Sequence, residues 1–117
     1  MAITIDAFTG TETVSTTEWS MTTDTAGPDS DTTDGIFQAF IDLSNLAAAD
    51  IFTFKCYETV ATSAGTQRLV YSATFSNVQP TPIWVSPTLV LGVGWDMTLI
   101  KDSGTDRTIV WRIAQVA

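Results

Sequence analysis

The chemistry-bearing side chains of this sequence are thirteen acids and a single thiol, and histidine is absent. Without histidine the commonest general base and the commonest transition-metal ligand are missing. Cys56 therefore has no imidazole to activate it. It sits on the apolar side of Ile51-Phe52-Thr53-Phe54-Lys55-Cys56 and reads as an inert core thiol. No nucleophile elbow, phosphate-binding loop or dinucleotide glycine pattern occurs. A pair of carboxylates is enough for a glycosidase, but nothing singles out one pair among so many. The expectation is a protein that is not an enzyme. The densest acids, Asp24, Asp29, Asp31 and Asp34, lie in D-T-A-G-P-D-S-D-T-T-D-G. Oxygen-rich loops hold Ca²⁺, which makes Asp29, Asp31 and Asp34 the candidates for a cation site. Gly35 and Ile36 follow without the distal glutamate of the twelve-residue calcium loop. Residues 24–35 thus read as a solvated acidic loop, with no metal and no other cofactor expected.

The tryptophans raise a second possibility. Trp19, Trp84, Trp95 and Trp111 could form an aromatic platform for a sugar, but Trp95 and Trp111 better suit a core. Trp84 stands between prolines. With Ile83 and Val85 it forms an apolar segment, and these three residues are the candidate protein-contact site. A core position for Trp84 is the competing reading.

The elements that must position these groups read as strands. Trp95, Met97 and Leu99 alternate with polar residues, as do Ile109, Trp111 and Ile113 beyond the break at Lys101–Asp106. Such alternation on both sides of a polar turn predicts a closing hairpin, its two indoles meeting across the pair, with Gly104 in the turn. Ile51–Val60 and Arg68–Ser76 predict another hairpin, turning within Ala61–Gln67. Phe37, Ala39, Ile41 and Leu43 share one side of a strand at Ile36–Leu43. Phe40 falls on its other side, so both faces are expected to be partly covered. A short opening strand is expected at Ala2–Ile5. A further extended stretch at Glu12–Thr22 has Trp19 and Met21 on one side of Ser20. Ser44–Asp50 alone has helical character, for one or two turns at most. Pro80, Pro82 and Pro87 confine Ile83–Val85 to an edge, and Thr88–Leu91 leads into Gly92-Val93-Gly94. Seven to nine short strands joined by turns predict an all-β single domain over residues 1–117, an antiparallel β-sandwich or jelly-roll-like barrel.

Length and charge agree with that class. A chain of 117 residues buries roughly two-thirds of its unfolded surface, enough for a core without staples. A lone cysteine forms no internal disulfide. The N-terminal residues lack the basic and apolar regions of a signal peptide, and no run of about 18 apolar residues occurs. The expectation is a soluble product made in a cytoplasm. The net charge is −8, and no base precedes Lys55. That field repels nucleic acid and anionic membranes, so neither is expected as a partner.

The segments D-L-S-N-L-A-A-A-D-I-F-T-F-K-C-Y-E (Asp42–Glu58) and G-W-D-M-T-L-I-K-D-S-G-T-D-R-T-I-V-W-R-I (Gly94–Ile113), with the acidic Thr-rich opening, resemble small β-rich virion proteins of tailed bacteriophages. The resemblance implies a structural protein of the virion, foremost a head decoration or cement protein. Its partner is then the major capsid protein, and it acts as a homo-oligomer, a trimer being favoured. A tail-associated receptor- or glycan-binding module is the rival reading, and a hydrolase acting through acidic residues is a second.

Overall fold

The computed structural model describes residues 2–61 and 65–116. Its strands are β1 (Ile3–Val14), β2 (Trp19–Ser20), β3 (Thr25–Ala26), β4 (Gly35–Asp42), β5 (Ile51–Glu58), β6 (Arg68–Ser76), β7 (Ile83–Val85), β8 (Leu89–Leu91), β9 (Asp96–Ser103) and β10 (Arg107–Val116). No helix occurs among the described residues. The strands form two five-stranded antiparallel sheets, and neither closes into a barrel. The first sheet runs β1-β10-β4, with β7 and β8 in succession along the far edge of β4. The second runs β3-β2-β9-β5-β6. The chain passes back and forth between the sheets, so both contribute to one core.

That core follows the alternation in the sequence. Phe37, Ala39, Ile41 and Leu43 are fully buried, as are Phe52, Phe54 and Cys56. The β5–β6 hairpin forms with Phe54 opposite Ala73 and Phe52 opposite Phe75. Residues 62–64 of its expected turn lie outside the described residues. Trp95 bridges the sheets: its ring lies 4.5 Å from that of Phe37 and 5.7 Å from that of Phe8, edge-on to the latter.

The closing hairpin is not formed. β9 pairs with β2 and β5 in the second sheet, whereas β10 pairs with β1 and β4 in the first. The chain arches from one sheet to the other through Gly104 at φ 95°. Trp95 and Trp111 are both buried but do not meet across a strand pair. An arch and a hairpin give the same inward alternation, so periodicity does not separate them. Asp50 decides the matter. Its carboxylate accepts from Thr105 N at 3.0 Å, Arg107 Nε at 2.7 Å and Ala47 N at 2.9 Å, which ties the arch to the β4–β5 connection. A Cβ at Gly104 would come within 2.4 Å of that carboxylate, so the close approach requires glycine.

Other expectations shift for similar reasons. The opening strand is twelve residues long rather than four, because β10 offers a long edge for it to pair with. Ser44–Asp50 forms turns instead of helix. Ala49 there is at φ 69° and donates to Asn77 Oδ1, which ends any helical path. Ser20 is buried beside Met21 while Trp19 is half-buried, because the Ser20 hydroxyl has a buried partner in Asp96.

Candidate functional site: the outer face of the first sheet

The acidic segment is mostly exposed yet tied down. Thr25–Ala26 pairs with Trp19–Ser20, and Asp31 forms an isolated bridge with Trp95. Asp29 N donates to Asp96 Oδ2 at 2.7 Å, Gln67 Nε2 donates to Asp29 O at 2.6 Å, and Trp95 Nε1 donates to Thr33 O at 2.8 Å. The carboxylates turn to different partners. Asp29 accepts from the Thr23 and Thr25 hydroxyls, while Asp31 accepts from Thr33 N. Among the described residues no three acids, including Asp29, Asp31 and Asp34, gather where they could hold a metal ion.

Asp96 is the anchor of this region. It is fully buried, and its carboxylate accepts from Ser20 Oγ, Thr22 Oγ1, Asp29 N and Met97 N. Burial raises its pKa, and the four donors pull it back. Glu58 accepts from the backbone N–H groups of Gly92 and Val93, closing the bend before Trp95. Every buried side-chain polar atom among the described residues has a hydrogen-bond partner, so none is left aimed at an absent ligand. Burial pushes the Cys56 thiol up to about 12, in keeping with an inert core position.

The indoles are spent within the fold. Trp95 and Trp111 are buried, and Trp19 donates to Asp24 Oδ1. Trp84 turns inward between the sheets, 5.1 Å from Phe54 and 5.0 Å from Phe75. The structure therefore divides the Ile83-Trp84-Val85 segment: Trp84 packs on the core, while Ile83 and Val85 face solvent.

Those two belong to a larger surface. Ile36 and Phe40 of β4, Val110 and Ala114 of β10, Ile3 and Ile5 of β1, and Val90 of β8 lie on the same outer side of the first sheet. Arg112 lies across Phe40, its guanidinium carbon 3.7 Å from the ring centroid, and donates to Ile5 O at 3.1 Å. On either side of this stack is a groove. One, of about 260 Å³, is lined by Phe40, Asp42, Ile83 and Val110; the other, of about 300 Å³, by Ile3, Ile5, Ile36 and Val116. The edge beside Pro87 is repaired from within, since Ser86 Oγ accepts from Ala39 N where the ladder breaks.

The outer side of the second sheet is different in kind. Thr53 bonds to Thr74 and Asp102, and Glu18 accepts from Tyr57 and Thr98 hydroxyls. Its exposed apolar side chains, Leu69 and Val70, lie on the edge strand β6. An antiparallel sheet with one solvated side normally carries polar residues there; the second sheet does so, whereas the first mixes polar positions (Thr9, Thr11, Thr13, Gln38 and Thr108) with a run of apolar ones.

The sequence signal for this face was present in β4 and β10. I-F-Q-A-F-I and I-V-W-R-I-A-Q-V are apolar at both phases of the alternation, the pattern of strands covered on both sides. What the sequence could not supply was that β1, β7 and β8 extend the face on both flanks. No protein-family model matches the sequence, and no curated protein matches it.

Proposed function

We propose that this chain is a non-enzymatic structural protein of a tailed-bacteriophage virion, folded as a β-sandwich of jelly-roll type. It acts by binding protein, as a homo-oligomeric decoration or cement protein whose larger partner is the major capsid protein of the assembled head. The observation that carries this reading is the apolar outer face of the first sheet. A chain of net charge −8 has little reason to display such a surface unless protein covers it. The passage of the chain between sheets supports the jelly-roll assignment. The segments that resemble phage virion proteins supply interior strands of both sheets: Asp42–Glu58 covers the β4–β5 connection and β5, and Gly94–Ile113 spans β9, the arch and most of β10.

The test is reconstitution. Purified protein is mixed with phage heads that lack it, and the heads are sedimented and then heated. The expected result is saturable co-sedimentation and a higher temperature of genome release. Failure to bind heads, together with a specific glycan-array signal, would move the assignment to a tail-associated receptor- or glycan-binding module.

A further inference from the structure

We infer that the outer face of the first sheet is a self-interface: two copies of this chain pack it face to face about a two-fold axis. The inference rests on the reading of that face as a protein contact and names the occupant. Charge is the first argument. The charged side chains lining its grooves are Arg112 and Asp42, one of each sign, so the grooves add nothing to the net −8 that makes two copies repel elsewhere. The ion pairs among the described residues are Lys101–Asp106 and Arg107–Asp50; Arg112 stacks on Phe40 and donates to Ile5 O, and Asp42 accepts from Ser44 N, so neither forms a short ion pair in its own chain. Val110 pairs with Asp42 and Phe40 with Arg112 in the β10–β4 register, which places the two charges diagonally on adjacent strands. A two-fold axis lying in the interface between them sets each guanidinium against Asp42 of the other copy. A self-complementary pair follows without any new group.

Area is the second argument. Four strands at about 4.8 Å spacing and eight residues of β4 at about 3.3 Å rise span roughly 19 by 26 Å, or roughly 500 Å² of plane before side-chain relief. A standard interface takes about 600 to 1,000 Å² of accessible surface from each partner, and the relief of the side chains brings a face of this plane area toward the lower end of that range.

The test is sedimentation equilibrium on the full chain, with circular dichroism as the check on folding. The wild type is expected to be dimeric at roughly 100 µM, within the range of modest affinities. Val110→Asp should remain folded and become monomeric, because it buries an uncompensated charge. Arg112→Glu and Asp42→Lys should each weaken self-association, as each then opposes like charges across the axis. Mixed together, these two variants should recover a one-to-one dimer, since every facing pair is again opposite in sign. A monomeric or trimeric wild type overturns the inference, as does a Val110→Asp variant that is folded and still dimeric. Mixed charge variants that stay apart overturn the two-fold register. A monomeric wild type whose head binding is abolished by Val110→Asp would instead assign the face to the capsid and leave the proposed function standing. A dimer that ignores phage heads would do the reverse.

Discussion

Gly10 lies opposite Trp111 in the β1–β10 ladder, and a Cβ built on Gly10 would sit 2.5 Å from Cζ2 of the indole. The Trp111 ring thus packs directly on the β1 backbone while its Nε1 donates to Met21 O at 3.0 Å. One side chain thereby holds β1 in the first sheet and fixes the segment that follows β2. In most strands glycine to alanine gains stability by restricting the unfolded chain. Here the added methyl has nowhere to go.

Gly10→Ala should therefore destabilise the fold, by about 1–3 kcal/mol if it behaves as overpacking does elsewhere. Denaturant unfolding measures it. Combining it with Trp111→Phe, which frees the space, should cost less than the sum of the two single changes. Strict additivity would show that the contact does not constrain the core.

Trp84 and its neighbours should separate cleanly. Trp84 packs on Phe54 and Phe75, so Trp84→Ala should cost about 3–5 kcal/mol, as for other core aromatics. Ile83→Thr and Val85→Thr, at half-exposed positions, should change the unfolding midpoint little, within about 0.5 kcal/mol. Equal effects at the three positions would refute the inward placement of Trp84.

What the sequence made legible was the inward set. Phe37, Ala39, Ile41, Phe52, Phe54, Met97, Leu99, Ile109 and Ile113 are buried as their alternation requires. Partner choice was not legible, because alternation tells each strand which side is in and says nothing of its neighbour. Hence β9 and β10 looked like one hairpin although an arch separates them. The acidic segment misled by composition: its acids do face solvent, but its backbone is held by Asp96, more than sixty residues away. The outer face was half legible. Phe40 already stood on the wrong side of its strand for a solvated sheet, while Ile3, Ile5 and Val90 were too far apart in sequence to be recognised as its neighbours.

Asp50 gives the fold a defined acid sensitivity. The Thr105 N–H, the Arg107 guanidinium and the Ala47 N–H hold its pKa at about 2, below the ordinary 3.8. A depressed folded pKa means that the unfolded chain binds the proton more readily. The contribution is fully present above about pH 4 and is lost as pH falls through about 2. Asp50→Asn should flatten this part of the stability profile, read from urea midpoints between about pH 4 and pH 2. An unchanged slope would mean that other carboxylates carry the acid response.

Asp96 should act in the opposite sense on pH and far more strongly on structure. Its pKa is raised by burial, so its ionisation opposes folding, and this contribution to stability declines as pH rises from about 4 through its folded pKa. The carboxylate nevertheless satisfies Ser20, Thr22, Asp29 N and Met97 N at once. Asp96→Ala would strand those donors and leave a void. A cost of about 3–5 kcal/mol is expected, the range for breaking a buried charged network. Asp96→Asn keeps the shape and one acceptor oxygen, and should cost less while removing the rise of stability toward acid. The loss should be local first. Amide exchange at Asp29 should accelerate in Asp96→Asn well before exchange at Phe54 or Ile41 changes, because β4 and β5 do not depend on this carboxylate. If Asp29 stays as protected as in the wild type, Asp96 is not what holds the acidic segment to the second sheet.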